Sequence, residues 1–132
     1  MNEPIRDDAG IIVKYPRVHC KDGFTMSVQA FSGAYSSPRT SGAHAYSEVE
    51  IGYPSEYEPL LDDYMEFMGA WDEDGDELTG DALEAARVQS STKTVYAYVP
   101  AEVVLAVITK HGGQVGGMLP PLMICEILSN GE

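Results

Sequence analysis

Hydrophobic and polar residues alternate along residues 13–20 and again along residues 24–30. A period of two is typical of strands that bury one face. The turn between these runs contains an Asp-Gly pair, but a two-residue loop would mix apolar and polar residues on one face. A three-residue loop pairs Phe24 with Cys20 and keeps one face apolar, so we predict this hairpin with Gly23 in the left-handed conformation. The opposite face then carries five polar side chains: His19, Lys21, Thr25, Ser27 and Gln29.

Two more strands are predicted further along the chain. Residues 46–53 alternate with Val49 and Ile51 on the apolar face, and residues 94–99 alternate with Val95 and Val99 on theirs. Regular alternation sends three tyrosines and two acids to the other face: Tyr46, Glu48, Glu50, Tyr96 and Tyr98. Tyrosine is favoured at binding interfaces, because its broad ring and polar tip lose little side-chain entropy. The alternative is that a second helix covers these tyrosines within the monomer.

Helical spacing occurs in two places. Pro54 and Pro59 precede a short predicted helix with five apolar residues: Leu60, Leu61, Tyr64, Met65 and Met68. Pro100 suits the first position of a second helix, which we expect to end at His111 and Gly112. The apolar stripe of this second helix contains Val103, Val104, Val107 and Ile108.

The remaining segments show neither period clearly. Residues 32–45 are predicted to be a surface loop, residues 69–80 an acidic mobile loop, and residues 81–88 one or two helical turns. The glycine-rich residues 112–117 are expected to form a flexible connection, and residues 122–128 a buried last strand or one that a partner chain completes.

Together these elements predict one α+β domain spanning residues 1–132, a length sufficient for a single core. We expect an antiparallel sheet of four or five strands, two packed helices and a long acidic loop, with an acidic insert at about residues 62–90.

Acidic residues are concentrated in one block of the chain. Residues 40–86 contain no lysine or arginine and hold 14 of the 21 acidic residues, so the formal net charge of −13 belongs mainly to this block. Such a field repels nucleic acid and lipid headgroups and attracts basic protein surfaces or metal cations. Since duplex DNA carries one phosphate per ~1.7 Å, these carboxylates match roughly 24 Å of duplex, which fits a domain about 36 Å across. Solubility alone is the competing explanation for the charge.

Two motifs resemble known sites in composition only. Residues 72–77 resemble a calcium loop, but Glu77 stands where the loop requires glycine and Leu83 where it requires a bidentate glutamate. Residues 112–117 resemble a phosphate-binding loop, yet they follow a helix and precede no lysine. A solvated acidic loop and a helix cap explain these residues better.

No pattern for catalysis or metal binding stands out. His19 and Cys20 are adjacent in a predicted strand, so their side chains point to opposite faces and do not share a metal. The chain has no nucleophile-elbow or HExxH motif. We therefore expect no catalytic residue, metal or cofactor, and an enzyme working through paired carboxylates or a metal-dependent hydrolase is the last alternative.

The apolar runs are too short for a membrane span or a signal peptide, so we expect a soluble protein in the cytoplasm. Cys20 and Cys125 are then expected to be free thiols.

Four segments resemble a family of small acidic proteins encoded by bacteriophages and prophages. They read VHCKDGFTMSVQA at 18–30, SPR at 37–39, VEIGYPSE at 49–56 and TVYAYVP at 94–100. The resemblance implies a phage origin, a host-cell cytoplasmic location and a possible anti-defence role, and it transfers no catalytic residue. It also implies that residues 62–84 are a variable insert.

The leading hypothesis is a non-enzymatic, DNA-mimicking or anti-CRISPR-like inhibitor. Its partner is a host nucleic-acid-binding or defence protein with a basic surface, and it binds neither nucleic acid nor membrane directly. The predicted contact residues are Glu48, Glu50, Asp62, Asp63, Glu66, Asp72, Asp74, Asp76, Tyr46, Tyr96 and Tyr98.

One alternative is a homo-oligomeric sponge that holds a small signalling nucleotide with Arg39, Tyr96, Tyr98 and backbone amides. A virion or assembly component is the other.

Overall fold

The computed structural model describes residues 3–66 and 71–123. These residues form seven strands, two α-helices and one 3₁₀ helix. The strands are β1 (Ile5–Arg6), β2 (Ile12–Lys14), β3 (Val18–Cys20), β4 (Thr25–Gln29), β5 (Glu48–Gly52), β6 (Val95–Pro100) and β7 (Gln114–Gly116). The helices are the 3₁₀ helix (Pro59–Tyr64), α1 (Gly80–Ser90) and α2 (Ala101–Lys110).

Five of the strands form one antiparallel sheet in the order β6-β5-β4-β3-β7. α2 and the 3₁₀ helix pack on one face of this sheet and contribute Val104, Val107 and Leu61 to the core. β1 and β2 form a separate two-stranded sheet that the sequence did not predict. The α+β class and the five-stranded sheet are confirmed.

The first hairpin has the predicted register. Val18 pairs with Met26, and the amide of Cys20 donates to the carbonyl of Phe24 at 2.8 Å. Gly23 has a φ of 100° and donates to the carbonyl of Cys20 at 3.0 Å. The apolar alternation of the two strands was sufficient to predict this loop.

A bulge in β6 overturns the predicted orientation of Tyr96. Val49 pairs with Val99 and Ile51 with Tyr96, so β6 uses one more residue than β5 between these pairs. Tyr98 absorbs the extra residue with a φ of 52°. Because a bulge resets the alternation, Tyr96 and Val99 both face the core, and Tyr96 is only 1 % exposed.

The predicted outward orientation of Tyr46 is also wrong. The carbonyl of Ser37 accepts hydrogen bonds from the amides of both Ser47 and Glu48, at 2.9 and 3.5 Å. This irregularity separates Tyr46 from the alternation of β5, and the tyrosine is fully buried. Its hydroxyl donates to the carbonyl of Thr40 at 2.7 Å.

The helices lie where the sequence patterns predict them, and only the first differs from the prediction in type. The segment predicted to run from Leu60 to Met68 forms a 3₁₀ helix over Pro59–Tyr64, and Met68 lies outside the described residues. α2 carries the expected stripe, with Pro100 one position earlier than predicted, as the N-cap. α1 confirms the helical turns predicted near residues 81–88, and none of its residues is buried.

The glycine-rich segment is more ordered than a flexible connection. Gly112 and Gly113 have φ values of 93° and 101°, and residues 114–116 then form the edge strand β7. Gly117 has a φ of 83°, and a Cβ there would lie 2.0 Å from the carbonyl oxygen of Arg17. Close packing against Arg17 is therefore what requires glycine at position 117.

The predicted last strand lies largely outside the described residues, as does Cys125. Its first residue, Leu122, forms a parallel bridge with Tyr46. Within residues 3–66 and 71–123, no helix is long and apolar enough to cross a membrane.

Candidate functional site

A charged cluster around two buried side chains, Glu58 and His111, joins three distant parts of the chain. It consists of Asp22 in the β3–β4 loop, Glu58 before the 3₁₀ helix, and Lys110 and His111 at the end of α2. His111 Nδ1 lies 2.7 Å from Asp22 Oδ2, and His111 Nε2 lies 2.7 Å from Glu58 Oε1. Lys110 Nζ donates to Glu58 Oε2 at 2.9 Å. We call this group the His111 cluster.

Both ring nitrogens of His111 face carboxylates, so the cationic imidazolium, with two N–H donors, is the form that satisfies both contacts. Burial by itself lowers the pKa of His111, but hydrogen bonds to Glu58 and Asp22 raise it above its ordinary value. The ring also stacks on Phe24, with centroids 4.1 Å apart and an interplanar angle of 13°. The geometry therefore holds a positive charge in the interior.

The two carboxylates are held in their charged form. Burial raises the pKa of Glu58, but hydrogen bonds from the amide of Leu60, from Lys110 and from His111 lower it overall. A hydrogen bond from the amide of Phe24, followed by the contact with His111, lowers the pKa of Asp22. Glu58 is 1 % exposed, and the ion pairs compensate for its burial.

In the two buried members of the His111 cluster, Glu58 and His111, every side-chain oxygen and nitrogen has a hydrogen-bond partner. His111 is 6 % exposed, and each of its ring nitrogens already has a partner. Among the described residues, no group of three or more His, Cys, Asp or Glu side chains is arranged to hold a metal ion. The cluster therefore acts as a clamp between the hairpin, the 3₁₀ helix and α2, and sequence reasoning missed it because its members are far apart in the chain.

The acidic block is largely exposed. Ten of its 14 carboxylates belong to exposed residues, and none of the ten forms an ion pair with another residue in the described ranges. These ten are Glu56, Asp63, Glu66, Asp72, Glu73, Asp74, Asp76, Glu77, Asp81 and Glu84. Of the predicted contact acids, Asp63, Glu66, Asp72, Asp74 and Asp76 are in this group.

The other three predicted contact acids are half-buried. Glu50 Oε1 accepts a hydrogen bond from the amide of Tyr35 at 3.0 Å. Asp62 Oδ2 accepts one from the hydroxyl of Tyr57 at 2.5 Å, which is the main cause raising the pKa of Tyr57 to about 12. Glu48 and Glu50 also alternate with the buried Val49 and therefore point away from the core.

An aromatic group lies on the outer face of the sheet. Tyr98 is 40 % exposed, and its ring centroid is 5.8 Å from that of Tyr35. The guanidinium of Arg39 lies over the Tyr35 ring, 5.1 Å from its centroid. Tyr35 thus brings the predicted residues Arg39 and Tyr98 together, whereas the Tyr96 hydroxyl is buried and donates to the carbonyl of Ser91 at 2.7 Å.

A cleft with a volume of about 750 Å³ lies between the N-terminal hairpin, formed by β1 and β2, and this outer face. Gln29 of β4 holds the segment after β2 against the sheet. Its Oε1 accepts from the amide of Tyr15, and its Nε2 donates to the Tyr15 carbonyl, both at 2.7 Å. Gln29 points away from the core, as predicted, but the segment around Tyr15 covers it and leaves it only 7 % exposed. Sequence reasoning did not anticipate the cleft, because it did not anticipate the segment that covers Gln29.

Comparison of the chain with protein-family models, with curated proteins and with solved structures gave no significant match.

Proposed function

We propose that this protein is a non-enzymatic inhibitor, of phage origin, that binds a basic surface of a host nucleic-acid-handling or defence protein. The observation that carries the proposal is the set of ten exposed acids without ion-pair partners in the described ranges. Unpaired surface carboxylates attract a basic groove over a distance of about 8–10 Å at moderate salt. Such a groove normally binds the phosphates of nucleic acid.

The residues that we propose for the contact surface are those that are exposed and whose carboxylates make no hydrogen bond within the described residues. Asp63, Glu66, Asp74 and Asp76 are exposed, and their side chains make no hydrogen bond within the described residues. Asp72 is also exposed, but its Oδ1 accepts from the amides of Asp74 and Asp76 and stabilises the loop. Tyr46 and Tyr96 are buried, so the proposed contact surface does not include them.

A charge series tests the proposal. Asp63, Glu66, Asp74 and Asp76 are replaced together by lysine, and in a matched variant by asparagine or glutamine. Tagged wild-type and variant proteins are used to capture proteins from a bacterial lysate at low and high salt. We expect a nucleic-acid-binding protein that the wild type retains, the neutral variant retains weakly and the lysine variant does not retain.

Competition with DNA makes the test specific. Duplex DNA should displace the captured protein, because the acids occupy the groove that binds phosphates, and high salt should release it. Capture that is equal for all three proteins, or that DNA does not affect, would refute the proposal.

The geometry also supports a second candidate, a nucleotide-binding sponge. Arg39, Tyr35 and Tyr98 offer a cation and two aromatic rings close together, which suits a nucleobase and a phosphate. This candidate predicts that a cyclic dinucleotide binds to a homo-oligomer, that Tyr98→Ala abolishes binding, and that the lysine variant retains it. Calorimetric titration with cyclic dinucleotides distinguishes the two candidates.

A further inference from the structure

The cleft beside the N-terminal hairpin differs in charge from the rest of the molecule. Its charged lining residues are two acids, Glu3 and Glu50, and two bases, Lys14 and Arg17. The lining therefore has no net formal charge in a protein whose formal charge is −13. A balanced site of this kind suits a ligand that carries both signs, and its two carboxylates disfavour a phosphorylated ligand.

The positive end of the cleft is held in place. Arg17 Nε donates to Thr25 Oγ1 at 2.8 Å, and its Nη2 donates to the carbonyls of Thr25 and Tyr53. Its Nη1 has no partner within the described residues and is available to a ligand. A guanidinium fixed by its other nitrogens loses little entropy when it binds a carboxylate.

The negative end is fixed in the same way. Glu50 Oε1 accepts from the amide of Tyr35, and Oε2 has no partner within the described residues. Glu50 of β5 pairs with Gln29 of β4, and Arg17 contacts Thr25, which is also on β4. Thr25 and Gln29 are four positions apart on β4, so the two residues beside which the charged ends lie are about 14 Å apart along the strand.

Apolar side chains line the same cleft as these two charged ends. Val13, Phe31 and Tyr53 contribute to its lining. Tyr53 is 52 % exposed, and its φ of 48° places a non-glycine residue in a region that costs free energy. Its carbonyl accepts from Arg17, so the unusual backbone conformation is coupled to the positive end.

We propose that this cleft binds a short extended peptide of about four residues, with its C-terminal carboxylate at Arg17 and its ammonium group at Glu50. An extended chain spans about 3.3–3.6 Å per residue, so four residues match the separation of the two ends. A single amino acid is too short to reach both groups, because its ammonium and carboxylate share one carbon. The volume lies within the range of about 300–1,000 Å³ that is usual for small-ligand sites.

The test uses the unblocked tetrapeptide Ala-Val-Val-Ala, together with its N-acetylated, C-amidated and doubly blocked forms. Binding to the full-length protein is measured by calorimetry and by amide chemical shifts. We expect saturable binding of the unblocked peptide, with shifts in β4, β5 and residues 13–17. Each blocked terminus should weaken binding about tenfold, since each removes one charge-assisted contact.

Glu50→Gln is the diagnostic variant, because its side-chain oxygen can still accept from the amide of Tyr35. It should weaken the unblocked peptide about tenfold and leave the affinity for the N-acetylated form unchanged. Glu48→Gln is the matched control. Glu48 also points to the outer face, two residues away on β5, but it does not line the cleft, so this variant should bind like the wild type.

The proposal is overturned if the unblocked peptide shows no saturable binding up to about 5 mM, a limit that corresponds to roughly −3 kcal/mol. Equal affinities for the blocked and unblocked peptides would also overturn it. The lysine variant of the acidic block should bind the peptide normally, so a failure here is separate from a failure of the proposed inhibitor function.

Discussion

Glu58→Gln tests the clamp role of the His111 cluster. Glu58 is 1 % exposed, and its carboxylate accepts from the amide of Leu60, from Lys110 and from His111. Glutamine preserves the volume but removes the charge and turns one acceptor oxygen into a donor. His111 loses its acceptor if the amide nitrogen replaces Oε1, and Leu60 and Lys110 both lose theirs if it replaces Oε2. In either case the imidazolium loses one of its two counter-charges.

The expected cost follows from the burial of each contact. Removing one partner of a buried ion pair costs about 3–5 kcal/mol, and glutamine still offers one oxygen, so we expect about 3 kcal/mol for Glu58→Gln. The Lys110 side chain is 46 % exposed, so Lys110→Gln should cost about 1 kcal/mol or less. The cost of Glu58→Gln therefore arises mainly from the contact with His111.

Urea denaturation monitored by far-UV circular dichroism at pH 6 measures both variants against the wild type. The midpoint should fall strongly for Glu58→Gln and slightly for Lys110→Gln, with unchanged slopes. If Glu58→Gln lies within about 0.5 kcal/mol of the wild type, or if Lys110→Gln costs as much, the clamp argument is wrong.

Three further predictions concern stability. The pKa of His111 is raised above 6.5 in the folded state, so the stabilisation from its charge is complete below pH 6.5 and is lost as the pH rises through the folded pKa. The urea midpoint of the wild type should therefore fall on the alkaline side, whereas that of His111→Phe should not. Gly117→Ala should cost about 2 kcal/mol or more, because its Cβ would clash with the Arg17 carbonyl; a melting temperature equal to that of the wild type would contradict this. Tyr96→Phe should cost about 1–2 kcal/mol, since the Ser91 carbonyl loses its buried donor, and an unchanged urea midpoint would exclude that contribution.

Local patterns were sufficient to predict much of the sheet and α2. The first hairpin, its glycine turn and the apolar stripe of α2 follow from periods of two and of about 3.6 residues, which depend only on neighbours in the chain. The concentration of acids was likewise evident from the sequence. Ten of the 14 are exposed in the structure, and no described residue forms an ion pair with them.

The errors share one physical cause, which is that contacts between distant segments changed the local alternation. Tyr96 is buried because the β5–β6 pairing contains a bulge, and Tyr46 because the Ser37 carbonyl bonds to the amides of both Ser47 and Glu48. Gln29 keeps its predicted place in the alternation, but Tyr15, which follows β2, bonds to it and covers it. None of these contacts leaves a periodic signal in the sequence.

The sequence by itself determined the class of fold, the register of the first hairpin and the position of the acidic charge, since these depend on local period and composition. Only the tertiary structure decided three other features of the molecule. It placed His111 between Asp22 and Glu58, brought Arg39 to Tyr35 and Tyr98, and opened a charge-balanced cleft between Arg17 and Glu50. Each joins residues from separate elements, and such proximity is produced by packing rather than by spacing along the chain.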